Sequence, residues 1–138
     1  MDYIDLHTHS TASDGTLSPA ELFALAALLK LSAVALTDHD TVAGIPEFLE
    51  ASKEHPECEA IPGVELACSF CARELHILGL FIDYRSPVLK DFLEKCRSER
   101  IKRNRDMALK LHFPKRNKTI TAFVEIPELT GRFIKLPS

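Results

Sequence analysis

The sequence predicts an α/β fold with a mostly parallel sheet, and three observations support this prediction. Apolar runs of strand length alternate with helical patterns, in the order strand, helix, strand, helix, strand, strand, helix. Residues 33–37 are nearly all apolar, which is typical of a strand buried on both faces of a parallel sheet. Histidine and acidic residues lie on these strands or directly after them. Because function in such folds gathers at the carboxyl edge of the sheet, we expect a functional crevice there.

Length and composition are those of one globular domain. The chain has 138 residues, of which 46% are hydrophobic and 27% are charged, and a chain of this length buries roughly two thirds of its unfolded surface. A net charge of −3 gives no general attraction to nucleic acid or membrane. The longest apolar run, Leu22–Leu29, is far shorter than the roughly 18 residues of a membrane span. Since the amino terminus has no secretory pattern, we expect a cytoplasmic protein without a membrane partner.

The first helix has a well-marked start. Ser18 is suited to cap it, Pro19 fits the first helical position, and Glu21 completes a capping box. The helical pattern continues to about Lys30. The predicted core face of this helix carries Leu22, Ala26 and Leu29.

Four strands and two further helices complete the predicted architecture. The strands are predicted at Tyr3–Leu6, Ala33–Thr37, Ala60–Leu66 and Glu74–Ile82. A second helix begins at Gly44 and runs to about Lys53. A long third helix runs from about Val88 to Leu111, and Pro114 stops it. The predicted core face of this third helix carries Leu89, Phe92, Leu93 and Cys96.

The last part of the chain has a different character. We predict a metal-binding domain over residues 1–112 and, over residues 113–138, either the start of an insertion or a divergent, poorly ordered tail, with a weak strand at 119–124. Four strands cannot close a barrel of about eight, and a lone sheet of four would leave unprotected edges. We therefore expect an incomplete barrel, or one that a second chain completes.

Two histidines at the end of the first strand suggest a metal site. In extended backbone, His7 and His9 point to the same side, with α-carbons roughly 6–7 Å apart. Asp14 follows in a loop and could add an oxygen ligand. The alternative is that two histidines lie near a strand end by chance.

Later strands add more residues of the same kind. His39 leaves the second strand, Glu65 lies at the end of the third, and His76 lies on the fourth. Nitrogen and carboxylate ligands suit zinc, manganese or iron(II). A pair of ions about 3.5–4 Å apart, which a glutamate can bridge, is typical of phosphoester hydrolysis. Any single histidine could instead be a hydrogen-bonded core residue, but four strands contributing together favour a multi-metal site.

Two further acidic residues flank the histidine of the second strand. Asp38 and Asp40 are predicted to hold the imidazole of His39 in its orientation, with solvation in a loop as the alternative. The four cysteines contain a single Cys-x-x-Cys, Cys68 to Cys71, between two predicted strands, which matches neither a zinc ribbon nor a redox motif. We expect these thiols to be structural or incidental, and reduced.

Five segments carry a resemblance to a known family. They are Asp5-Leu-His-Thr-His-Ser10, Ser13-Asp-Gly-Thr16, Leu36-Thr-Asp-His-Asp-Thr41, Ile61-Pro-Gly-Val-Glu65 and Glu74-Leu-His-Ile-Leu-Gly-Leu80. In this order they resemble the PHP (polymerase and histidinol phosphatase) superfamily over about residues 1–112. The resemblance is greatest to its branch of nucleoside 3′,5′-bisphosphate phosphatases and 5′→3′ exoribonucleases. It implies a distorted (β/α)7 TIM-like barrel, of which this chain would form the first half.

The resemblance also implies two or three divalent metal ions. The implied ligands, which would also be the catalytic residues, are His7, His9 and Glu65 for one ion, Glu65 and His76 for a second, and Asp14 and His39 for a third. Manganese is the expected ion, with zinc, iron or magnesium as alternatives.

The third predicted helix is strongly basic. Ten of the 17 basic residues lie between Lys95 and Lys118, and Arg97, Arg100 and Arg103 are spaced three apart. In the resembling phosphatases, arginines on this helix contact the second phosphate of the substrate, a role that suits guanidinium groups. A solvated basic face is the alternative, because acidic residues are interspersed.

The sequence departs from the family pattern near its end. Gly131-Arg132 is followed by Phe133 instead of Pro-His, and the chain reaches Ser138 before the late Asp-x-His that the family carries. We therefore expect a fragment of a longer phosphatase, whose metal sites lack some of their ligands.

The resemblance implies a metal-dependent phosphoesterase that acts on nucleoside 3′,5′-bisphosphates or short RNA 5′ ends. One alternative within the superfamily is a histidinol-phosphatase-like enzyme or a polymerase-associated exonuclease. Another is an inactive metal-binding remnant that needs an oligomer or a missing second half. We expect no stable binding to duplex DNA.

Overall fold

The structure, a computed structural model, describes the backbone of residues 3–70, 73–112, 123–125 and 133–135. Contacts divide the chain into two compact units, Met1–Arg97 and Ser98–Ser138, which are described separately. The strands of the first unit are β1 at Tyr3–Thr8, β2 at Leu31–Leu36, β3 at Glu59–Phe70 and β4 at Arg73–Leu80. Its helices are α1 at Pro19–Leu28, α2 at Ile45–Ala51 with a 3-10 turn at Ser52–Glu54, and the first part of α3, which spans Pro87–His112.

The four strands form one sheet in the order β1-β2-β3-β4. β1 pairs with β2 in parallel and β2 pairs with β3 in parallel, whereas β3 and β4 are antiparallel. The predicted α/β class, element order and mostly parallel sheet are therefore confirmed. β3 is longer than predicted because it continues into a hairpin with β4, and this extension places Cys68 on β3 itself.

Helix α1 begins as predicted and buries a slightly different face. The Ser18 hydroxyl accepts a hydrogen bond from the Glu21 backbone amide, and the Glu21 carboxylate accepts one from the Ser18 amide, which completes the capping box. Phe23 and Ala26 are buried, but Leu29 is 62% exposed. The prediction that Leu29 faces the core was wrong, because the helix ends at Leu28 and Lys30 then turns the chain with a φ of 59°.

The sheet has apolar contacts on both faces. Since successive residues of a strand point to opposite faces, β2 contributes Val34 and Leu36 to one cluster and Ala33 and Ala35 to another. The first cluster includes the helical residues Phe23, Ile45, Phe48 and Leu93. The second cluster is smaller and consists of Ala33, Ala35 and Ile61, with Leu6 and Leu80 packed against them. The helices therefore cover one face, and the opposite face has small apolar side chains.

Helix α3 contacts the core through a narrow strip. Leu93 is buried in the larger cluster and Leu89 packs against it, four residues apart on one helix face. Cys96 is partly buried, but Phe92 is 48% exposed, so the prediction that Phe92 belongs to the core was wrong. Within the described part of the chain, no helix has the length and apolar character needed to cross a membrane.

The second unit contains the remainder of α3 and a short antiparallel pair, β5 at Phe123–Glu125 and β6 at Phe133–Lys135. β5 overlaps the end of the weak strand predicted at 119–124, whereas β6 was not predicted. Pro114, Cys71 and residues 119–122 lie outside the described residues. The domain boundary between 112 and 113 remains a prediction.

Candidate metal centre

Glu65 is the centre of a cluster of imidazoles. Its side chain is only 3% exposed. Its Oε2 lies 3.1 Å from Nε2 of His7, 3.1 Å from Nε2 of His9 and 3.3 Å from Nδ1 of His39. Its Oε1 lies 2.5 Å from Nδ1 of His76. One buried carboxylate thus contacts all four histidines that the sequence analysis selected.

Asp14 lies on the other side of two of these rings. Its Oδ1 is 3.4 Å from Nδ1 of His9, and its Oδ2 is 3.6 Å from Nε2 of His39. The structure therefore brings together all six predicted ligands. Potential ligand atoms lie within 4.8 Å of one another in three groups: His7–His9–Glu65, His9–Asp14–His39 and His39–Glu65–His76.

An irregularity in β1 presents its histidines to Glu65. Leu6 packs against the small cluster on the face opposite the helices, and Glu65 lies four residues after Ile61 of that cluster, so regular alternation would place Leu6 and Glu65 on one face and His7 on the other. His7 nevertheless contacts Glu65. The register between β1 and β2 shifts between Asp5 and Thr8, which changes the phase of the strand at this point. The shift places the rings of His7 and His9 with centroids 5.0 Å apart.

Pairing beyond the end of β2 positions His39. His39 and Glu65 form a parallel bridge after β2 has ended. The Asp40 amide donates to the Glu65 carbonyl at 2.9 Å, and the Glu65 amide donates to the Asp38 carbonyl at 3.2 Å. Asp40 has a φ of 50°, a left-handed conformation that aspartate adopts more readily than most residues. The backbone thus fixes His39 beside Glu65 before the chain turns away.

His76 reaches the site by a different route from the one predicted. The prediction that the carboxyl ends of the strands deliver the ligands was wrong for β4, because β4 is antiparallel to β3. His76 lies in the first half of β4, opposite Ala67, and Leu78 lies opposite Glu65. Because the strand direction is reversed, the amino-terminal half of β4 lies at the edge where β1 to β3 end.

The loop after β1 is held by a buried carboxylate. Asp38 is 2% exposed and accepts hydrogen bonds from the Ser10 amide, the Ser10 hydroxyl and the Ser13 hydroxyl, at 2.6–2.7 Å. These contacts do not test the predicted role of Asp38 in holding the orientation of the His39 imidazole, which remains a prediction. The corresponding role of Asp40 remains a prediction. Sequence reasoning assigned no role to Ser10, although Ser10 ends the Asp5–Ser10 segment that carries the family resemblance.

Gly15 lies in the same loop at a place where only glycine fits. A Cβ on Gly15 would lie 2.2 Å from the carbonyl oxygen of His9 and 2.8 Å from the amide nitrogen of Ser10. The Gly15 amide donates to the Ser10 carbonyl at 2.9 Å, which closes the loop. The close backbone approach lets Asp14 reach back toward His9.

The donor set fits a divalent metal ion. Burial favours a higher pKa for the Glu65 carboxyl, but hydrogen bonds with His7 and His76 and the charge of His39 together hold its pKa below the usual value. Glu65 is therefore a carboxylate at neutral pH, the form that binds metals. Within the described part of the chain, Nδ1 of His9 is buried and makes no hydrogen bond, and Oδ1 of Asp14 lies 3.4 Å away, as expected of two atoms that could bind one ion. Nitrogen and oxygen donors without a thiolate suit manganese, zinc or iron.

The low pKa of Glu65 predicts how acid affects stability. A carboxyl group whose pKa is lower in the folded state stabilises the fold above its unfolded pKa, and this contribution is lost as the pH falls through the folded value. In chelator-treated samples, Glu65→Gln should lose less stability than the wild type when the pH is lowered below about 4.3, the usual glutamate value. Thermal unfolding from pH 6 to pH 3 measures this difference. Glu59→Gln is the control, because Glu59 is an exposed residue of the same strand. Equal acid sensitivity of Glu65→Gln and the wild type would contradict the prediction.

The three predicted phosphate-binding arginines lie on α3. Arg97 is exposed and ends the first unit, whereas Arg100 and Arg103 belong to the second unit. Their role in phosphate binding remains a prediction.

The chain is similar in sequence to proteins of known family. The PHP domain model matches residues 5–102. A 5′-3′ exoribonuclease of Salmonella typhimurium is 41% identical over 114 residues, and a 3′,5′-nucleoside bisphosphate phosphatase of Chromobacterium violaceum is 40% identical over 114 residues. Each match covers 80% of this chain and 39% of the relative, so the chain spans about two fifths of the length of these curated relatives.

A solved structure agrees with this assignment. A Bifidobacterium adolescentis protein, assigned as a metal-dependent phosphoesterase, superposes with a TM-score of 0.71 and 32% sequence identity. The superposition covers 82% of this chain and 40% of that protein. The first unit therefore has the fold of one part of a larger α/β domain.

Proposed function

Because the chain belongs to the PHP domain family, we propose that it binds divalent metal ions through His7, His9, Asp14, His39, Glu65 and His76. We further propose that the protein to which it belongs is a phosphoesterase that releases phosphate from nucleoside 3′,5′-bisphosphates or short RNA 5′ ends. The two relatives named above, an exoribonuclease and a bisphosphate phosphatase, support this substrate class.

One observation carries the proposal. Glu65 is buried, both of its oxygens contact imidazole nitrogens, and four histidines from three separate chain segments surround it. A buried carboxylate needs compensating partners, and a single arginine would meet that need more simply. Four imidazoles around one carboxylate are more than folding requires, whereas a bridging carboxylate with nitrogen ligands on each side is what a multi-metal site needs.

The geometry also limits how the imidazole rings of His9 and His39 can be shared among metal ions. His9 directs Nε2 to Glu65 and Nδ1 to Asp14, and His39 directs Nδ1 to Glu65 and Nε2 to Asp14. A neutral imidazole has only one nitrogen free to bind an ion, because the other carries a proton. The three groups of ligand atoms therefore cannot all be complete at once. We expect the ion at His7–His9–Glu65 to bind most tightly, and further ions to bind more weakly with two ligands each from this chain.

The residues of the site have separate tasks in this proposal. Glu65 would supply negative charge to the bound ions, and His7, His9 and His76 would hold them with nitrogen ligands. Divalent ions in such sites supply a nucleophile from water at neutral pH and neutralise phosphate charge. Arg97, with Arg100 and Arg103, would hold a second phosphate of the substrate through guanidinium groups.

We propose manganese as the ion, with zinc, iron or magnesium as alternatives, and a cytoplasmic location. We also propose that further strands, from the same polypeptide or from a second chain, cover the sheet edges. Two apolar residues of β1, Tyr3 and Ile4, are 65% and 58% exposed, and Leu75 and Ile77 of β4 are 47% and 51% exposed. Exposed apolar residues on an outer strand invite pairing with another strand.

Metal analysis with substrate comparison tests the proposal. The purified chain should bind at least one manganese ion, and His39→Ala should reduce the number of ions bound or their affinity. Phosphate release is then compared among a nucleoside 3′,5′-bisphosphate, a 5′-phosphorylated RNA oligonucleotide and histidinol phosphate. Each substrate is tested with the chain alone and with the chain mixed with the part of a relative that the chain does not cover. Less than one ion per chain with manganese in excess would contradict the metal-site proposal.

The same experiment separates the alternatives. Preferential release from histidinol phosphate would favour the histidinol-phosphatase-like reading. Metal binding without turnover of any substrate, even with the remainder of a relative added, would favour a metal-binding remnant. Selective release from the bisphosphate is the result that we expect.

A further inference from the structure

Three neighbouring residues form a buried hydrogen-bond cluster behind the metal site. Ser10 is fully buried, Asp38 is 2% exposed, and Ser13 is partly buried. Oδ1 of Asp38 accepts from the Ser10 amide at 2.7 Å and from the Ser13 hydroxyl at 2.6 Å, and Oδ2 accepts from the Ser10 hydroxyl at 2.7 Å. We call this set the Ser10–Ser13–Asp38 cluster.

Each residue of the cluster is the direct sequence neighbour of one residue in the same group of metal ligands. Ser10 follows His9, Ser13 precedes Asp14, and Asp38 precedes His39. The corresponding group, His9–Asp14–His39, is one of the three sets of ligand atoms described above. The other two groups depend on Glu65 and also use His7 or His76, which lie on strands held by sheet pairing.

Building on the proposed metal binding, we propose that Asp38 is the positioning residue of the His9–Asp14–His39 group. It joins the loop after β1 to the end of β2, and these two segments carry all three ligands. Asp14 depends on this support most, because its side chain is 65% exposed and sits on a loop instead of a strand. Ligands on loops need such support to hold a productive geometry.

Further contacts show that the cluster holds the loop as a unit. The Ser10 hydroxyl accepts from the Ala12 amide at 3.1 Å, and the Ser10 carbonyl accepts from the amides of Ser13 and Gly15 at 3.1 and 2.9 Å. On the other side, a Cβ on Gly44 would lie 3.1 Å from Oδ2 of Asp38. The start of α2 therefore packs closely behind the carboxylate and limits its movement.

The chemistry of the cluster explains why an aspartate is needed. The Ser10 amide can only donate, and it must find an acceptor because it is buried. The hydrogen bonds from the Ser10 amide and the hydroxyls of Ser10 and Ser13 compensate for burying the Asp38 carboxylate. An alanine at position 38 would remove all acceptors and leave the Ser10 amide without a partner, whereas an asparagine would keep one oxygen in place.

The test measures metal binding by the full 138-residue chain, using cobalt(II) as a spectroscopic probe and manganese in calorimetric titrations. Asp38→Ala should weaken the binding step assigned to His9–Asp14–His39 at least tenfold, a size typical for outer partners of metal ligands. Asp38→Asn should recover part of this loss. Asp14→Ala shows which binding step belongs to His9–Asp14–His39, because Asp14 is a member of that group alone. His76→Ala does the same for the His39–Glu65–His76 group.

Matched variants separate positioning from general damage. Thr41→Ala removes a hydrogen bond to the Ala43 amide close to the same segment and should change no binding step. If Asp38→Ala does not fold, Ser13→Ala removes one of the three hydrogen bonds and should weaken the same step to a smaller extent. Equal weakening of all steps in Asp38→Asn and Ser13→Ala, or no weakening of the Asp14-dependent step, would overturn the proposal. Absence of metal binding by the wild type would instead overturn the proposed function, and this proposal with it.

Discussion

Replacing Glu65 with glutamine is expected to lower the affinity of the chain for manganese by about 100-fold or more. Replacing residues that only support metal ligands lowers metal affinity by about 10–100-fold. Glu65 is itself a member of two of the three ligand groups, so a larger loss is expected. Glutamine keeps the shape of the side chain and removes its charge. The loss therefore reports the carboxylate itself and not a cavity.

Calorimetric titration with manganese measures this effect. Glu57→Gln is the matched control, because Glu57 lies 3.4 Å from Nδ1 of His55 in an exposed histidine–carboxylate pair outside the site. That variant should bind manganese as the wild type does. Equal affinities of Glu65→Gln and the wild type would show that the imidazoles do not use Glu65 to bind an ion.

Replacing Gly15 with alanine is expected to damage both the loop and the site. The new Cβ would lie 2.2 Å from a backbone oxygen and 2.5 Å from a backbone carbon of His9, so the loop itself must move. Overpacking of this kind costs about 1–3 kcal/mol of unfolding free energy. The movement would also displace Asp14 from His9 and His39, so the ion bound by this group should be lost or bound at least tenfold more weakly.

Denaturant unfolding and metal titration together test this prediction. Gly79→Ala is the control, because the atom nearest to its added Cβ is a side-chain carbon of Ile82 at 3.3 Å, and a side chain can move more easily than backbone. The control should lose less stability than Gly15→Ala and keep the Asp14-dependent binding step. A Gly15→Ala variant with unchanged stability and binding would show that the loop has another conformation in solution.

Local chemistry made many features predictable. The capping box at Ser18 and Glu21 and the buried strand β2 follow from interactions between residues close in sequence. Apolar periodicity was less reliable at the margins of the core. Leu29 and Phe92 match a helical pattern but are exposed, because the pattern defines a face and only the neighbouring elements determine how much of that face is covered.

In the candidate site too, some features follow from local sequence and others depend on tertiary structure. Histidines and acids at the ends of strands identified all six residues that the structure brings together. Their arrangement required tertiary structure: the register shift in β1 turns His7 toward Glu65, and the reversed direction of β4 brings in His76 from the opposite end of a strand. Strand register and direction depend on pairing between distant segments, which local sequence does not specify.

The sequence by itself determined the fold class, the order of the elements and the chemical character of the site, because these depend on periodicity, capping and residue type. Only the tertiary structure decided which atoms face each other. It assigned the two oxygens of Glu65 to different histidines, and it placed the Asp38 carboxylate in hydrogen bonds with Ser10 and Ser13. The reason is physical: these hydrogen bonds join residues 25 to 58 positions apart, and their geometry is set only when the segments pack together.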